Sequence, residues 1–297
     1  MREFSSFVFG PETRSYHCIM REFAIDLARR AGALLLEFHH AASEGQAFDT
    51  KSSPVDLVTA ADVASDHLIN EALAAEFPSH VVFSEESASG PLPAAEWLWV
   101  IDPLDGTTNF AHRVPFFGVN IALAHHGAAV LGVTYEPLTG QVYWVERGSG
   151  AWLRTDGGER QLRVSNINEL SRSLLSTGFP SDRRTNPDNN LPEFNALERR
   201  THGVRRQGSA ALELAWVAAG IVEAFWHPRL KPWDAAPGWL LIEEAGGQVT
   251  EYDGRPWRLD SETMVASNGQ PALHAAILDT IAVARASIDT PGASGRG

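Results

Sequence analysis

Apolar residues at helical spacing open the readable part of the chain. From Met20 onward, Phe23, Leu27, Ala31, Leu34 and Phe38 recur every three or four positions, which predicts an amphipathic helix. A second helical run carries Ala60, Val63, His67, Leu68, Leu73 and Phe77 and stops at Pro78, with a turn at 51–54 before it. Short apolar runs then follow at 81–83, 97–101, 117–124, 130–135 and 142–145, divided by turn signals at His126-Gly127 and around Pro137 to Gly140. These runs predict a strand-rich, antiparallel sheet. From about residue 170 the pattern alternates between strand and helix. Strands are predicted at 174–176, 222–226 and 264–267, helices at 191–200, 209–219 and 234–245, and a polar loop at 180–190.

The change of pattern divides the chain into four parts. Residues 1–19 form an unpatterned extension, so that Met20 is a candidate true start. Residues 20–168 form an α+β half, 169–285 an α/β half, and 286–297 a flexible tail rich in Gly, Ser and Pro. The 297 residues suffice for one large domain or two closely packed ones, and 44% apolar with 21% charged residues is ordinary globular usage. The formal charge of −13, from 24 basic and 37 acidic residues, opposes long-range attraction to nucleic acid or anionic lipid. An anionic substrate would therefore need a local cation. A single cysteine, Cys18, permits no intrachain disulfide and fits a reducing compartment. The best membrane-span candidate, 210–226, is interrupted by Glu213 and Glu223, and residues 1–17 lack the apolar stretch of a signal peptide. A cytoplasmic protein is expected.

Three segments hold candidate acids, two just past apolar runs and one at a helix start. In Trp99-Val-Ile-Asp-Pro-Leu-Asp-Gly-Thr-Thr-Asn-Phe110 a strand runs into Asp102 and Asp105, which a turn would bring together with the Leu104 carbonyl pointing at the same place. Oxygen donors of this kind suit magnesium or a similar ion, while an Asx-type turn capped by Asp102 accounts equally well for the spacing. Glu85 follows the run at 81–83, either as a site acid or as a solvated loop charge. Asp234 opens the helix at 234–245, where N-capping is its default role. Pro237 would then stand at the third helical position and offer no N–H to that cap.

These segments together resemble the inositol monophosphatase family of magnesium-dependent, lithium-sensitive phosphatases. Asp-Pro-Leu-Asp-Gly-Thr-Thr-Asn-Phe at 102–110, and Trp-Asp-Ala-Ala at 233–236 with Glu-Ala-Gly-Gly at 244–247, are similar to its two signature motifs. Lys51 to Thr59 with Asp62, Pro78-Ser-His80, Ser84-Glu-Glu-Ser87 and Gly208-Ser-Ala-Ala211 also match, so the likeness spans roughly residues 20–285. It implies a layered αβαβα sandwich, in which the antiparallel sheet packs with the α/β half and the site lies between them, and it implies a homodimer. It further implies that Glu85, Asp102, the Leu104 carbonyl, Asp105 and Asp234 hold two or three Mg2+ ions. Asp62 and Thr107 resemble the pair that, with Glu85, orients the attacking water. Asp105, Gly106, Thr107, Gly208, Ser209, Ala210 and His227 would contact substrate, and Lys51 resembles a lysine of the family's mobile first loop.

Two departures bear on the substrate. His227 stands where the family commonly has a glutamate that contacts inositol hydroxyls, and an ordinary histidine becomes cationic below about pH 6.5. His227 is either a polyol contact or a ring packed beside Trp226 and Trp233. Pro237 replaces a small residue. The expected function is hydrolysis of a small polyol phosphate, with myo-inositol 1-phosphate first and fructose 1,6-bisphosphate or histidinol phosphate as alternatives. Segment 172–206 has seven arginines (172, 183, 184, 199, 200, 205, 206) against four acids (182, 188, 193, 198). That segment alone supports an alternative of another class, a binding partner in RNA or transcription machinery with secondary catalysis.

Overall fold

The computed structural model describes residues 11–43 and 54–286. Two helices lead, α1 (Pro11–Ser43) and α2 (Pro54–Glu76), and α1 begins upstream of Met20. A seven-stranded sheet follows in chain order: β1 (Val81–Ser84), β2 (Trp97–Asp105), β3 (Gly118–His125), β4 (Ala128–Glu136), β5 (Gln141–Glu146), β6 (Gly150–Thr155) and β7 (Gly158–Gln161), with the short helix α3 (Thr107–Ala111) between β2 and β3. The second half adds β8 (Leu174–Thr177), α4 (Leu191–Glu198), β9 (Gly203–Arg205), α5 (Ala210–Ala218), β10 (Ala224–His227), α6 (Pro232–Glu244), β11 (Gln248–Thr250), β12 (Met264–Ser267) and α7 (Pro271–Ala286). Its sheet runs β11-β12-β10-β8-β9. The turn expected at 51–54 falls mainly on residues outside those described, as do most of the unpatterned extension and of the predicted tail.

Each strand of the first sheet is sorted by its period of two. Trp99 and Ile101, Val119 and Ile121, and Val133 and Val142 point into the core shared with α1 and α2. Leu98, Val100, Ala122, Tyr143 and Val145 point to the other face, where α5 and α6 lie between the two sheets. Leu175, Trp226, Val265, Leu273 and Ile277 form a third core between the second sheet and α4 and α7. The result is the expected αβαβα layering. The first sheet is not wholly antiparallel, because β1 pairs parallel with β2. Residues 85–96 supply the crossover of about a dozen residues that a parallel pair needs.

Helix α2 buries Leu73 of its apolar pattern, with Phe77 just past its end, but its first half turns a different face inward. Val63 is 42% exposed and the His67 side chain 73%, whereas Asp62, Ser65 and Asp66 are buried beside Ala61 and Ile69. Ser65 Oγ donates to the Pro103 carbonyl (2.9 Å), and Asp66 Oδ1 accepts from Ser84 Oγ. The inward face is polar because it borders the ends of β1 and β2.

Helix α6 lies against the first sheet through small residues. A Cβ on Gly132 of β4 would come within 2.8 Å of the Pro237 Cα. Pro237 sits inside α6 and has no N–H to donate to the Trp233 carbonyl. Buried Asn120 of β3 fills that gap: its Nδ2 donates to the carbonyls of Trp233 (2.7 Å) and Asp234 (3.1 Å), while its Oδ1 accepts from Thr134 Oγ1 (2.6 Å). Gly132→Ala is expected to destabilise the protein by about 1–3 kcal/mol, because the new methyl meets helix backbone that can move only with the layer. Chemical denaturation of the two proteins measures the difference.

Candidate functional site

The local geometry of β2 decides how its two aspartates face. Residues three apart on a regular strand point to opposite sides. Here Asp102 pairs with Asn120 and Asp105 with Gly118, so three steps on β2 oppose two on β3. The extra residue is a bulge. It turns Leu104 toward α1 and α2 and returns Asp105 to the face of Asp102, toward α5 and α6. The aspartates thus lie within an extended strand rather than a four-residue turn, although Asp102 Oδ1 does accept from the Leu104 N–H (3.0 Å), as the Asx reading anticipated. Gly106 then takes φ 89° and caps α3. A side chain there would crowd the Phe116 carbonyl at 3.1 Å.

Three segments bring their acids to this point. Glu85 leaves β1 with its N–H donating to the Ile101 carbonyl (3.1 Å), beside Asp102. Asp234 comes from the opposite layer. It is not the N-cap of α6: the helix starts earlier, at Pro232, with Lys231 as cap and Asp234 at the third position, where its carboxylate accepts from the Lys231 N–H (3.2 Å). Proline at the first position explains the earlier start, since its fixed φ suits a helix and its missing N–H has no intrahelical use. Carboxylate oxygens of Glu85, Asp102 and Asp234 lie within 4.8 Å of one another.

Asp105 is held from α5. Ser209, the N-cap of that helix, donates its hydroxyl to Asp105 Oδ2, and the Ala211 N–H donates to the same oxygen at 2.9 Å. Ser209 and Ala210 therefore lie against the acid cluster, while Gly208, at φ 89°, leaves room for Asn109 below it. Asn109 Nδ2 donates to the carbonyls of Phe116 and Gln207, both at 2.7 Å, and ties α3 to the 207–209 loop. Buried Glu213 accepts from the Gln207 N–H (3.1 Å) and braces the loop from behind. Neither Asn109 nor Glu213 drew a role from the sequence. The signal was there for Glu213, an acid in an otherwise apolar helix.

Crowded acids raise one another's pKa. Burial first, then the charges of Glu86, Glu85 and Asp66, pushes Asp62 up to about 8. Burial, Asp105 and Glu86 push Glu85 to about 7, although one side of that residue is open to solvent. Burial raises Asp105 to about 6 against the lowering effect of Ser209 and of backbone N–H groups. Burial, Glu85, Asp105 and Asp234 hold Asp102 well above the carboxylate range, and burial with Asp105 and Glu85 does the same for Asp234. Asp62 Oδ1 is buried with no hydrogen-bond partner among the described residues. An all-oxygen set this crowded fits a hard divalent cation.

Thr107 Oγ1 donates to the Leu104 carbonyl (3.2 Å), as a hydroxyl in a first helical turn can reach the carbonyl three residues back. His227, at the end of β10, does not become cationic near pH 6.5: burial pushes it down to about 4. Its Nδ1 accepts from the Arg229 N–H (3.1 Å), its ring stacks on Phe225 rather than on Trp226 or Trp233, and a Cβ at Gly178 would come within 3.0 Å of Nε2. Lys51 lies outside the described residues. Of the arginines in 172–206, Arg200 donates to Thr280 (2.6 Å) and Arg206 lies over the Phe179 ring (4.8 Å), so these two serve the second half's own packing.

Residues 19–285 match the model of the inositol monophosphatase family. The chain is 38% identical over 262 residues to an inositol-1-monophosphatase of Caulobacter vibrioides, covering 88% of this chain and all of that one. It is 41% identical over 246 residues to a putative Nus factor SuhB of Neisseria meningitidis, covering 82% and 92%. Among solved structures, inositol monophosphatase from Anabaena superposes with a TM-score of 0.79 at 39% identity, over 90% of this chain and 97% of that one.

A carboxyl whose pKa is raised by folding stabilises the fold while protonated, and that contribution is lost as pH rises through the folded value. In chelator, this loss begins at about pH 4, where the unfolded carboxyls ionise, and runs to about pH 8, the folded value of Asp62 and Glu213, so the melting temperature is expected to fall most clearly between about pH 6.5 and pH 8, above the range of the histidines. Histidines 227 and 274, both held near 4, act in the opposite direction only below 6.5. Adding Mg2+ should raise the melting temperature and flatten this slope, and differential scanning calorimetry reads both.

Proposed function

The chain belongs to the inositol monophosphatase family, whose members are metal-dependent phosphoric monoester hydrolases, and on that premise we propose that it hydrolyses a small polyol phosphate, with myo-inositol 1-phosphate as the leading substrate. The observation that carries this reading is the convergence of Glu85, Asp102 and Asp234 within 4.8 Å, with Asp105 beside them. Glu85, Asp102, the Leu104 carbonyl, Asp105 and Asp234 would hold two or three Mg2+ ions. When bound, such ions neutralise phosphate charge and lower the pKa of a water.

The chain's own residues supply orientation. Asp62, with an oxygen unsatisfied among the described residues, would orient the attacking water together with Glu85 and, in its ionised form, take up the proton. Backbone N–H groups of Gly106 and Thr107 would face the phosphate, and the 208–210 loop, fixed by Asn109 and Glu213, would border the substrate. His227 accepts at Nδ1, so its Nε2 carries the proton and offers a neutral donor to a substrate hydroxyl or phosphate oxygen. A fixed anionic acceptor is absent at that position, which keeps fructose 1,6-bisphosphate and histidinol phosphate as alternative substrates. Lithium inhibition, a cytoplasmic location and a homodimer complete the proposal. The relatives named Nus factor SuhB support a second reading, a partner of transcription machinery with secondary catalysis. The charge of −13 opposes direct attraction to nucleic acid in that case.

Phosphate release from inositol 1-phosphate, fructose 1,6-bisphosphate and histidinol phosphate, with Mg2+, with chelator and with Li+, tests the main reading. Turnover that needs Mg2+, falls with Li+ and favours inositol phosphate is expected. Asp105→Asn should lower it by about 100-fold or more while circular dichroism stays unchanged. Folded protein that releases no phosphate from any of the three would overturn the reading.

A further inference from the structure

At the opposite end of β2 from the acids, a second cluster of donors has no part in the proposed phosphatase chemistry. We propose that Glu96, His125 and His126 form a binding site for a transition-metal ion of the zinc class. One ligand atom from each of the three lies within 4.8 Å of the others. Bonds of about 2.0–2.1 Å in a tetrahedral zinc site place donors ~3.3 Å apart, so closure needs movements of roughly 1.5 Å at most. Glu96, whose side chain is 67% exposed, is free to make them, and its Oε1 already stands 3.9 Å from His125 Nε2.

The backbone sets these groups together. Neighbouring residues on a strand point to opposite faces, so His125 and His126 would ordinarily diverge. The chain turns here instead: His126 (φ 49°) and Gly127 (φ 80°) form the two-residue hairpin between β3 and β4. In the left-handed conformation the His126 ring swings back beside His125, with centroids 4.3 Å apart. Asparagine is the usual residue at such a turn, and a histidine there gives up local preference. The His126 N–H donates to the Glu96 carbonyl (2.9 Å), which fixes residue 96 against the hairpin tip. Trp97 pairs with His125 across the β2–β3 ladder and stacks on its ring at 4.1 Å.

Donor chemistry separates this cluster from the acidic site. Two imidazoles and one carboxylate suit zinc, copper or nickel and suit magnesium poorly, whereas the acids at 85, 102, 105 and 234 offer only oxygen. Five steps along β2, roughly 16 Å at about 3.3 Å per residue, separate Trp97 from Asp102, so no ion can be shared. A cleft of about 540 Å³, lined by Glu96 and His126 together with Leu98, Arg258 and Asp260, adjoins the cluster. It leaves room for a water or small ligand at the fourth position.

Calorimetric titration of Zn2+ into the full chain, in excess Mg2+, tests the assignment. One Zn2+ per chain is expected to bind in the wild type and in Asp234→Asn. It should weaken more than about tenfold in both His126→Asn, which keeps the turn, and Glu96→Gln. Binding unchanged in both variants would overturn the site, as would wild-type protein that binds no Zn2+ beyond what Asp234→Asn removes. Neither result bears on phosphate release, so the proposal stands or falls apart from the phosphatase reading.

Discussion

Mutual repulsion among crowded carboxylates is the constraint around which the rest of this molecule is organised. Buried Asp102 and Asp105 on β2 meet half-buried Asp234 from the α6 layer, with Glu85 at the solvent side, and none would be gathered there by hydrophobic burial. Their placement costs stability unless a cation or protons compensate, and the surrounding fold must be stiff enough to impose it. That stiffness comes from the strongly apolar first sheet, cored on one face by α1 and α2 and on the other by α5 and α6. The sheet delivers Glu85 and the two aspartates; α6 delivers Asp234.

Docking of α6 is where packing and chemistry meet. Gly132 admits the helix, Pro237 breaks one backbone bond inside it, and Asn120 repairs that break with its amide. The same amide reaches the Asp234 carbonyl, so the residue that mends the helix also anchors its acid. On the other side of the site, Ser209 and Ala211 grip Asp105 while Asn109 and Glu213 hold their loop. Polar groups buried in pairs of this kind resist rearrangement, since breaking one leaves its partner unsatisfied.

Much of the architecture was readable from periodicity. The leading helices, five strands of the first sheet and the helix–strand alternation after residue 170 follow from spacing of apolar residues. The pattern failed where pairing depends on backbone alone. β7 is exposed along its whole length, and β9 and β11 have three residues each, too few for any alternation to register. It misled on the first half of α2, where burial follows Asp62, Ser65 and Asp66 because that face borders the acids. In α7, Leu273, Ile277 and Ile281 carry a helical period beyond the last predicted strand.

By itself the sequence determined the family and named the candidates for its chemistry: carboxylates just past apolar runs and at a helix start, a glycine at the strand end, and motifs that mark the family. Those are local properties, written in adjacent positions. Only the tertiary structure decided that a bulge returns Asp105 to the face of Asp102, and that Asp234 stands at the third position of α6 rather than at its cap. It also decided that burial keeps His227 neutral and that Glu96 meets a hairpin thirty residues away. Such outcomes depend on distance and on local dielectric, and both exist only after the layers have closed.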